Sequence, residues 1–308
     1  MQSLAELQST CSLPDVARWE ATASGLARLA VKTDACEAHL FAYGAQLISF
    51  TPTNQAPVLH LSPRSAFVAG KAIRGGIPLC FPWFGPHPTM REAPAHGFAR
   101  TQVWHVEAVT LEDSGRVTVV LYLGSGQATL LLWPHAFEAR LTLSLGPTLS
   151  VALEIKNVDD HGWDVEAALH SYFSVGDVRR TVLCGLEKTP FLDKAQGGTR
   201  CAGAAAPLVL VGETDRVYLP TRGAVLLQDE ALQRSLRIEK QGSDATVVWN
   251  PWLGRATSMA DIGSDGWEGF VCIEAACVRE RPVVLSPGAT HRLVQRVASL
   301  PARTLGDP

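Results

Sequence analysis

The feature that most constrains the fold is an alternation of apolar and polar residues on both sides of a short turn between positions 137 and 156. The apolar residues of its first half lie two positions apart: Phe137, Ala139, Leu141, Leu143 and Leu145. The same spacing resumes after a Gly-Pro-Thr turn, at Leu149, Val151, Leu153 and Ile155. Successive side chains of a β-strand point to opposite faces, so this period predicts a β-hairpin with one buried face.

Similar short apolar segments, separated by turn residues, run through most of the chain. They predict strands at Val117–Leu123, Val165–Ser171, Ala224–Leu227, Leu236–Lys240, Thr246–Trp249, Phe270–Ala275 and His291–Val297. No helical stripe exceeds about two turns, and strands do not alternate with helices. The sequence therefore predicts an all-β protein, a large antiparallel β-sandwich with few short helices. We expect one domain over residues 1–308, with residues 1–20 as a short helix or a loose N-terminal arm.

Composition and charge narrow the class of function. The 27 basic and 30 acidic residues give a formal net charge of -3, which offers no general attraction to nucleic acid or to an anionic membrane. No apolar run approaches the roughly 18 residues of a membrane span, and no signal peptide is apparent. Seven cysteines without a CxxC motif favour reduced thiols. We expect a cytoplasmic, monomeric protein that binds neither nucleic acid nor membrane.

The stretch from Ala72 to Arg100 is too rich in proline and glycine for a regular helix or a central strand. It also contains the four aromatic residues Phe81, Trp83, Phe84 and Phe98. Long irregular loops are usually functional or disordered, and buried aromatic residues argue against disorder. We therefore predict an ordered loop that frames a site, with the polar side chains Arg74, His96 and Arg100 at its tips.

Three ionisable residues outside this loop stand in unusual surroundings. His170 follows an alternating apolar segment, where an imidazole is either a core or strand-end residue or part of a site. Glu274 lies inside the apolar run FVCIEAAC, where burial would raise the pKa of its carboxyl and suit a proton shuttle. An ion pair with a core arginine is the alternative for Glu274. Asp215, in GETDRVY, is either a turn residue or a site residue.

Other catalytic patterns are missing from the sequence. We find no G-x-S-x-G elbow, no phosphate-binding loop of the G-x-x-x-x-G-K-[ST] type and no dinucleotide-binding glycine motif. No His, Asp, Glu or Cys residues have the spacing of metal ligands, so we expect neither a metal nor another cofactor. The remaining residues fit general acid–base chemistry on a small anion.

Six motifs, taken together and in order, resemble one family. They are IRGGIPLCFPWFG, AHGFAR, ALHSYFSVGD, ETDRVY, VVWNPW and VCIEAA, which span residues 73–276. The set resembles the D-hexose-6-phosphate mutarotases (glucose-6-phosphate 1-epimerases) of the aldose-1-epimerase superfamily. That resemblance implies a galactose mutarotase-like β-sandwich with an open carbohydrate cleft, and it implies an isomerase of carbohydrate metabolism.

The resemblance also implies roles for individual residues. His170 matches the general acid of the family, and Glu274 matches its general base. Arg74 and Arg100 match the residues that hold the sugar phosphate. Two further residues match substrate contacts, Asp215 to a ring hydroxyl and His96 as a second histidine that lines the site.

The implied reaction interconverts the α and β anomers of a hexose 6-phosphate, most naturally glucose 6-phosphate, by acid–base ring opening and closure. Aromatic residues such as Trp83, Phe84 or Trp252 can stack on the sugar or pack in the core. Two alternatives remain open on the same fold. One is an aldose 1-epimerase that acts on unphosphorylated hexoses, and the other is a non-catalytic sugar-phosphate-binding protein.

Overall fold

The computed structural model describes residues 2–301, and its regular structure consists mainly of antiparallel strands. There are three short α-helices: α1 (Leu4–Thr10), α2 (Gln127–Leu132) and α3 (Trp252–Ala256). The first strands in chain order are β1 (Ala17–Ala21), β2 (Ala27–Lys32), β3 (Cys36–Phe41), β4 (Gln46–Pro52), β5 (Leu79–Cys80), β6 (His105–Leu111), β7 (Val117–Gly124), β8 (Phe137–Leu145) and β9 (Leu149–Asn157). The next are β10 (Trp163–Val165), β11 (Ala167–Leu169), β12 (Tyr172–Ser174), β13 (Thr181–Cys184), β14 (Phe191–Asp193), β15 (Thr199–Cys201) and β16 (Leu208–Val209). The last are β17 (Thr214–Tyr218), β18 (Val225–Asp229), β19 (Arg234–Gln241), β20 (Ala245–Asn250), β21 (Phe270–Cys277), β22 (Val283–Leu285) and β23 (Thr290–Pro301).

Two large sheets dominate the architecture. The nine-stranded sheet has the order β16-β13-β18-β19-β23-β9-β8-β7-β6. The eight-stranded sheet has the order β15-β14-β17-β20-β21-β11-β5, and β12 also pairs with β21. A four-stranded sheet (β1 to β4) and the pair β10–β22 complete the structure. One hydrophobic core draws residues from both large sheets, and the Gln295 amide on β23 donates to the Ile273 carbonyl on β21 at 3.0 Å.

The predicted hairpin is confirmed as β8 and β9. Its register pairs Phe137 with Asn157 and Leu145 with Leu149 across the turn. The apolar residues at alternate positions are buried, whereas most residues between them are partly exposed to solvent. Because one face of this sheet faces the core and the other faces water, the sequence shows a clean period of two.

The central strands of the eight-stranded sheet differ, because β20 and β21 are buried along their whole length. On one face, residues such as Val248 and Ile273 join the main core. On the other face, Val247 and Ala276 belong to a second apolar cluster. Glu274 lies two residues before Ala276 and therefore on this second face. Glu274 is thus a buried carboxylate between apolar residues of a strand that is buried along its whole length.

The stretch 72–100 is the ordered loop that its composition predicts. It contains only the short strand β5 and one turn of 3₁₀-helix, Ala99–Thr101. Phe81, Trp83 and Phe98 are buried, and the rings of Phe81 and Phe137 pack edge to face with centroids 4.9 Å apart. These aromatic residues anchor the loop on the nine-stranded sheet, so its polar tips are held in fixed positions.

Two local predictions need refinement. The expected strand Val165–Ser171 is interrupted at Glu166, whose N–H donates to the Pro82 carbonyl at 3.1 Å, and it ends at Leu169. The first twenty residues contain the short helix α1, which begins at a capping box formed by Ser3 and Glu6. Strand β1 follows and buries Trp19 completely. No helix in residues 2–301 is long and apolar enough to cross a membrane.

Candidate active site

All six site residues predicted from the sequence line one cleft with a volume of about 870 Å³. They are Arg74, His96, Arg100, His170, Asp215 and Glu274. The eight-stranded sheet forms the floor of the cleft, and the loop 72–100 forms part of its wall. A concave site of this size with a few convergent polar groups is typical of small-molecule sites.

Glu274 lies at the centre of the floor, on β21 and opposite Val247 of β20. Its side chain is only 1% exposed, and its Oε2 atom is buried without a hydrogen-bond partner among the described residues. Burial raises the pKa of this carboxyl well above its ordinary value, and the nearby Asp215 carboxylate adds to the rise. The site therefore contains a carboxyl group that readily holds a proton.

His170 lies in the break between β11 and β12, both of which pair with β21. Its backbone N–H donates to the Pro78 carbonyl at 3.0 Å, and its ring stacks on Tyr172 with centroids 5.0 Å apart. The Nδ1 atom is 3.5 Å from Oε1 of Glu274 and has no hydrogen-bond partner in the described chain. Burial lowers the pKa of His170 strongly, and the proximity of the His96 ring and the charges of Arg100 and Arg74 act in the same direction. Two buried proton carriers thus face each other with unsatisfied polar atoms.

His96 borders the cleft next to this pair, with its ring centroid 5.8 Å from that of His170. The Gly85 N–H donates to His96 Nδ1 at 3.3 Å, so the neutral ring carries its proton on Nε2. Burial, followed by the charges of Arg100 and Arg74, lowers the pKa of His96 to about 3. A neutral imidazole can exchange hydrogen bonds with a sugar hydroxyl but cannot act as a cation for phosphate.

Gly97, the residue after His96, allows this turn to pack closely on the backbone of Phe81. Gly97 has a φ of +75°, and a Cβ atom at this position would lie 1.9 Å from the Phe81 carbonyl oxygen. Only glycine permits this approach, because any side chain would collide with rigid backbone. The glycine of the AHGFAR motif therefore brings the histidine loop against β5.

Arg74 and Arg100 have different surroundings although both line the cleft. Arg74 donates from Nε to Asp261 at 2.8 Å and from Nη1 to the Tyr172 hydroxyl at 2.9 Å. Arg100 donates from Nη2 to the Ala95 carbonyl at 2.7 Å, and no carboxylate within the described residues pairs with it. The charge of Arg74 is therefore partly neutralised, whereas that of Arg100 is available to a ligand.

Asp215 lies on β17, where it pairs with Trp249 of β20. Trp249 pairs in turn with Cys272 of β21, so Asp215 shares the cleft face of the sheet with Glu274, displaced by two residues along the strands. Burial raises the pKa of the Asp215 carboxyl, although the charges of Arg255 and Lys194 oppose that rise. Asp215 is thus a strand residue that lines the cleft and not a turn residue.

Several lining residues escaped the sequence analysis. Tyr172 and Asp261 position Arg74, and Asp261 is remote from it in the chain, so no local pattern could reveal the pair. Five further cationic residues line the cleft: Arg64, Lys71, Lys194, Arg255 and Arg279. Of the aromatic residues considered for stacking on a sugar, Phe84 lines the cleft, whereas Trp83 and Trp252 are absent from its lining.

Comparison with known proteins decides the family. A family model described as aldose 1-epimerase matches residues 28–298. The chain belongs to the aldose 1-epimerase family. Members of this family are epimerases, so the predicted isomerase class and the predicted resemblance are both confirmed.

Named relatives within the aldose 1-epimerase family cover most of the chain. A protein of Cenchrus ciliaris, named "Putative glucose-6-phosphate 1-epimerase", is 34% identical over 280 residues, which are 88% of this chain and 84% of that protein. A protein of Escherichia coli K12 with the same name is 35% identical over 249 residues, 80% of this chain and 82% of its own. A crystal structure from Salmonella typhimurium, described as a putative mutarotase, has a TM-score of 0.88 at 30% identity and covers 94% of this chain and 96% of that one. The predicted all-β mutarotase fold is therefore confirmed.

Proposed function

We propose that this protein interconverts the α and β anomers of hexose 6-phosphates, with glucose 6-phosphate as the main substrate. The observation that carries the proposal is the buried pair of His170 and Glu274, whose Nδ1 and Oε1 atoms are 3.5 Å apart on the floor of the cleft. Curated relatives named as glucose-6-phosphate 1-epimerases support the choice of substrate.

In the proposed reaction, the Glu274 carboxylate removes the proton of the C1 hydroxyl while the His170 imidazolium gives a proton to the ring oxygen. The bond between C1 and the ring oxygen breaks, and C1 becomes the carbonyl carbon of the open-chain aldehyde. Rotation about the C1–C2 bond then presents the other face of the carbonyl. Ring closure runs the same transfers in reverse, with Glu274 as the acid and His170 as the base.

The electrostatics of the site favour the open-chain stage of this cycle. Burial raises the pKa of Glu274 and lowers the pKa of His170, so a proton on the pair resides on the carboxyl group. This is the distribution that the scheme requires after ring opening. A site preorganised for the high-energy stage stabilises the neighbouring transition states more than the closed sugars.

The phosphate end of the substrate requires free positive charge. Arg100 and Lys71 both line the cleft, and neither has an ion-pair partner in residues 2–301. A guanidinium group donates two hydrogen bonds to a phosphate in a fixed geometry, which favours Arg100 as the main contact. We assign Arg74 to the same end of the substrate, oriented by Asp261 and Tyr172. Asp215 and the neutral His96 are assigned to sugar hydroxyls.

The test is an anomer-exchange NMR measurement on the full chain. Exchange rates above the uncatalysed rate are compared for glucose, galactose and mannose 6-phosphates and for the free sugars. We expect Glu274→Gln to lower the catalysed rate by about 10²–10⁴-fold, because it removes one positioned proton transfer. Glu154→Gln, on β9 of the other large sheet, is the matched control and should retain the rate.

Two outcomes would contradict parts of this proposal. Full activity of Glu274→Gln would remove Glu274 from the mechanism. Equal catalysed rates for phosphorylated and free hexoses would favour the alternative of an aldose 1-epimerase without phosphate specificity.

A further inference from the structure

A second group of chemistry-bearing side chains lies outside the cleft, at the open end of the β8–β9 hairpin. His135 precedes β8, and Asp159 and His161 follow β9. Because Phe137 pairs with Asn157, the antiparallel register continues outward and brings His135 beside Asp159. None of the three residues lines the cleft.

The donor atoms of this group converge without bonding to one another. His135 Nδ1 is 3.8 Å and His161 Nε2 is 3.7 Å from the same oxygen, Oδ2 of Asp159. All three ligand atoms lie within 4.8 Å of one another. The distances to Asp159 are longer than a hydrogen bond allows. His135 Nδ1 is also buried without a hydrogen-bond partner in the part of the chain that the structure describes. Two imidazole nitrogens and a carboxylate oxygen thus face a common point.

Neighbouring groups position each of these donors. The Ala136 N–H donates to Oδ2 of Asp159 at 2.9 Å and holds the carboxylate at the centre of the group. Nδ1 of His161 lies 2.9 Å from Oδ1 of Asp160, and a proton shared there leaves Nε2 as the inward lone pair. The His135 ring packs edge to face against Trp133, with centroids 4.7 Å apart. Such outer contacts are the usual means by which proteins orient metal ligands.

The exposure of the three side chains also suits a metal ion. The side chains of His135 and Asp159 are 24% and 20% exposed, so they are shielded from solvent on most sides. The His161 side chain is 55% exposed and leaves the group open to solvent at one side. An ion can therefore enter without opening the sandwich.

We propose that His135, Asp159 and His161 bind a divalent transition-metal ion, with Zn²⁺ as the natural occupant and water as its fourth ligand. Zn²⁺ favours nitrogen and carboxylate ligands at about 2.0–2.2 Å, whereas Ca²⁺ and Mg²⁺ require oxygen ligands. Tetrahedral bonds of that length hold donor atoms roughly 3.3 Å apart, so each imidazole nitrogen needs to approach Oδ2 of Asp159 by about 0.5 Å, and the two nitrogens need to approach each other from within 4.8 Å. The bound ion would clamp the turn after β9 to the segment before β8.

The site could not be recognised in the sequence because its ligands are separated by the whole β8–β9 hairpin. His135 alone resembles a surface or strand residue, and Asp159 and His161 lie in an ordinary turn, Asp-Asp-His-Gly. Only the pairing of the two strands places them together.

The experiment uses the full chain in a Cys184→Ser, Cys201→Ser background, because these two thiols are partly exposed and can bind Zn²⁺. The protein is dialysed against a chelator and titrated with ZnCl₂ by calorimetry, and melting is followed with and without Zn²⁺. We expect one equivalent to bind and the melting temperature to rise. His161→Ala and Asp159→Asn should each weaken binding by about 10- to 100-fold or more and abolish the rise in melting temperature.

The control is His105→Ala, which removes an exposed histidine elsewhere on the nine-stranded sheet and should leave binding unchanged. His161 is exposed, so its variant should fold normally, and anomer exchange verifies this independently of metal binding. Absence of saturable one-to-one Zn²⁺ binding would overturn the proposal. So would unchanged affinity in both ligand variants.

Discussion

The floor of the cleft and its rim, the outer edge where Lys71 and Arg279 lie, differ in their exposure to water. The floor places His170 and Glu274 in surroundings where neither side chain is more than 9% exposed and where His170 Nδ1 and Glu274 Oε2 have no hydrogen-bond partner within residues 2–301. The rim carries cationic side chains such as Lys71 and Arg279, which remain exposed to water. Electrostatic effects are strong in the dry floor and screened at the wet rim. Under the proposed function, we therefore expect proton chemistry in the floor and capture of an anion at the rim.

The largest expected effect on activity follows from a substitution in the floor of the cleft. His170→Asn keeps a polar side chain of similar size but removes the proton carrier. We expect the catalysed anomer exchange to fall by about 10²–10⁴-fold, and by the same factor for glucose 6-phosphate and glucose. His105→Asn, at an exposed position on β6, serves as the control in the same NMR measurement. A loss confined to the phosphorylated sugar would mean that the floor also binds phosphate.

Breaking the rim should have a smaller and selective effect. Arg100→Ala removes a guanidinium without a carboxylate partner, and charge-assisted hydrogen bonds contribute about 1.5–3 kcal/mol each. We expect the KM for glucose 6-phosphate to rise by roughly 10- to 100-fold, with kcat and the rate on glucose little changed. The control is Arg296→Ala, an exposed residue on β23 with the same change in charge. Equal losses on both sugars would contradict a phosphate role for Arg100.

The smallest effect concerns His96, which lies between floor and rim. Its pKa in the folded protein is about 3, below its ordinary value of 6.5, because of burial and the nearby arginines. The unfolded chain therefore binds more protons between these pH values, and the free energy of unfolding falls as the pH falls below about 6.5. His96→Asn should flatten this fall by up to about 1.4 kcal/mol per pH unit, as measured by urea unfolding from pH 7.5 to pH 5.

Asparagine is the appropriate replacement because residue 96 has a φ of +63°, a conformation that asparagine tolerates. His105→Asn again provides the matched change at an exposed position. The free energy of unfolding could instead fall equally for His96→Asn and for the wild type on acidification. That result would mean that His96 takes up protons in the folded protein as readily as an exposed residue at the rim.

How easily a strand could be predicted from the sequence also depends on whether one of its faces is exposed to water. The hairpin β8–β9 was predictable because one of its faces meets water, which imposes a period of two. β21 has no exposed face and shows no such period, but Glu274 stands out in it as a single charge in an apolar run. The fold class, and six residues that line the cleft, could thus be recognised from local patterns and the family motifs.

Features that depend on long-range pairing could not be predicted. The sequence contains no signal that joins Arg74 to Asp261, or His135 to Asp159, because each pair is brought together by strand register and loop packing. The interruption of the strand before His170 was also missed. At Glu166 the chain moves from the pairing of β10 with β22 to the pairing of β11 with β21.

The burial of the His170–Glu274 pair has a consequence for how the site would be regenerated in the proposed reaction. The two anomers have the same atoms and the same charge. In the proposed reaction, ring opening moves one proton from the sugar to Glu274 and another from His170 to the sugar, and ring closure reverses both transfers. The pair ends each turnover in the protonation state in which it began. Burial of the pair therefore does not delay turnover, because its regeneration requires no proton exchange with bulk water.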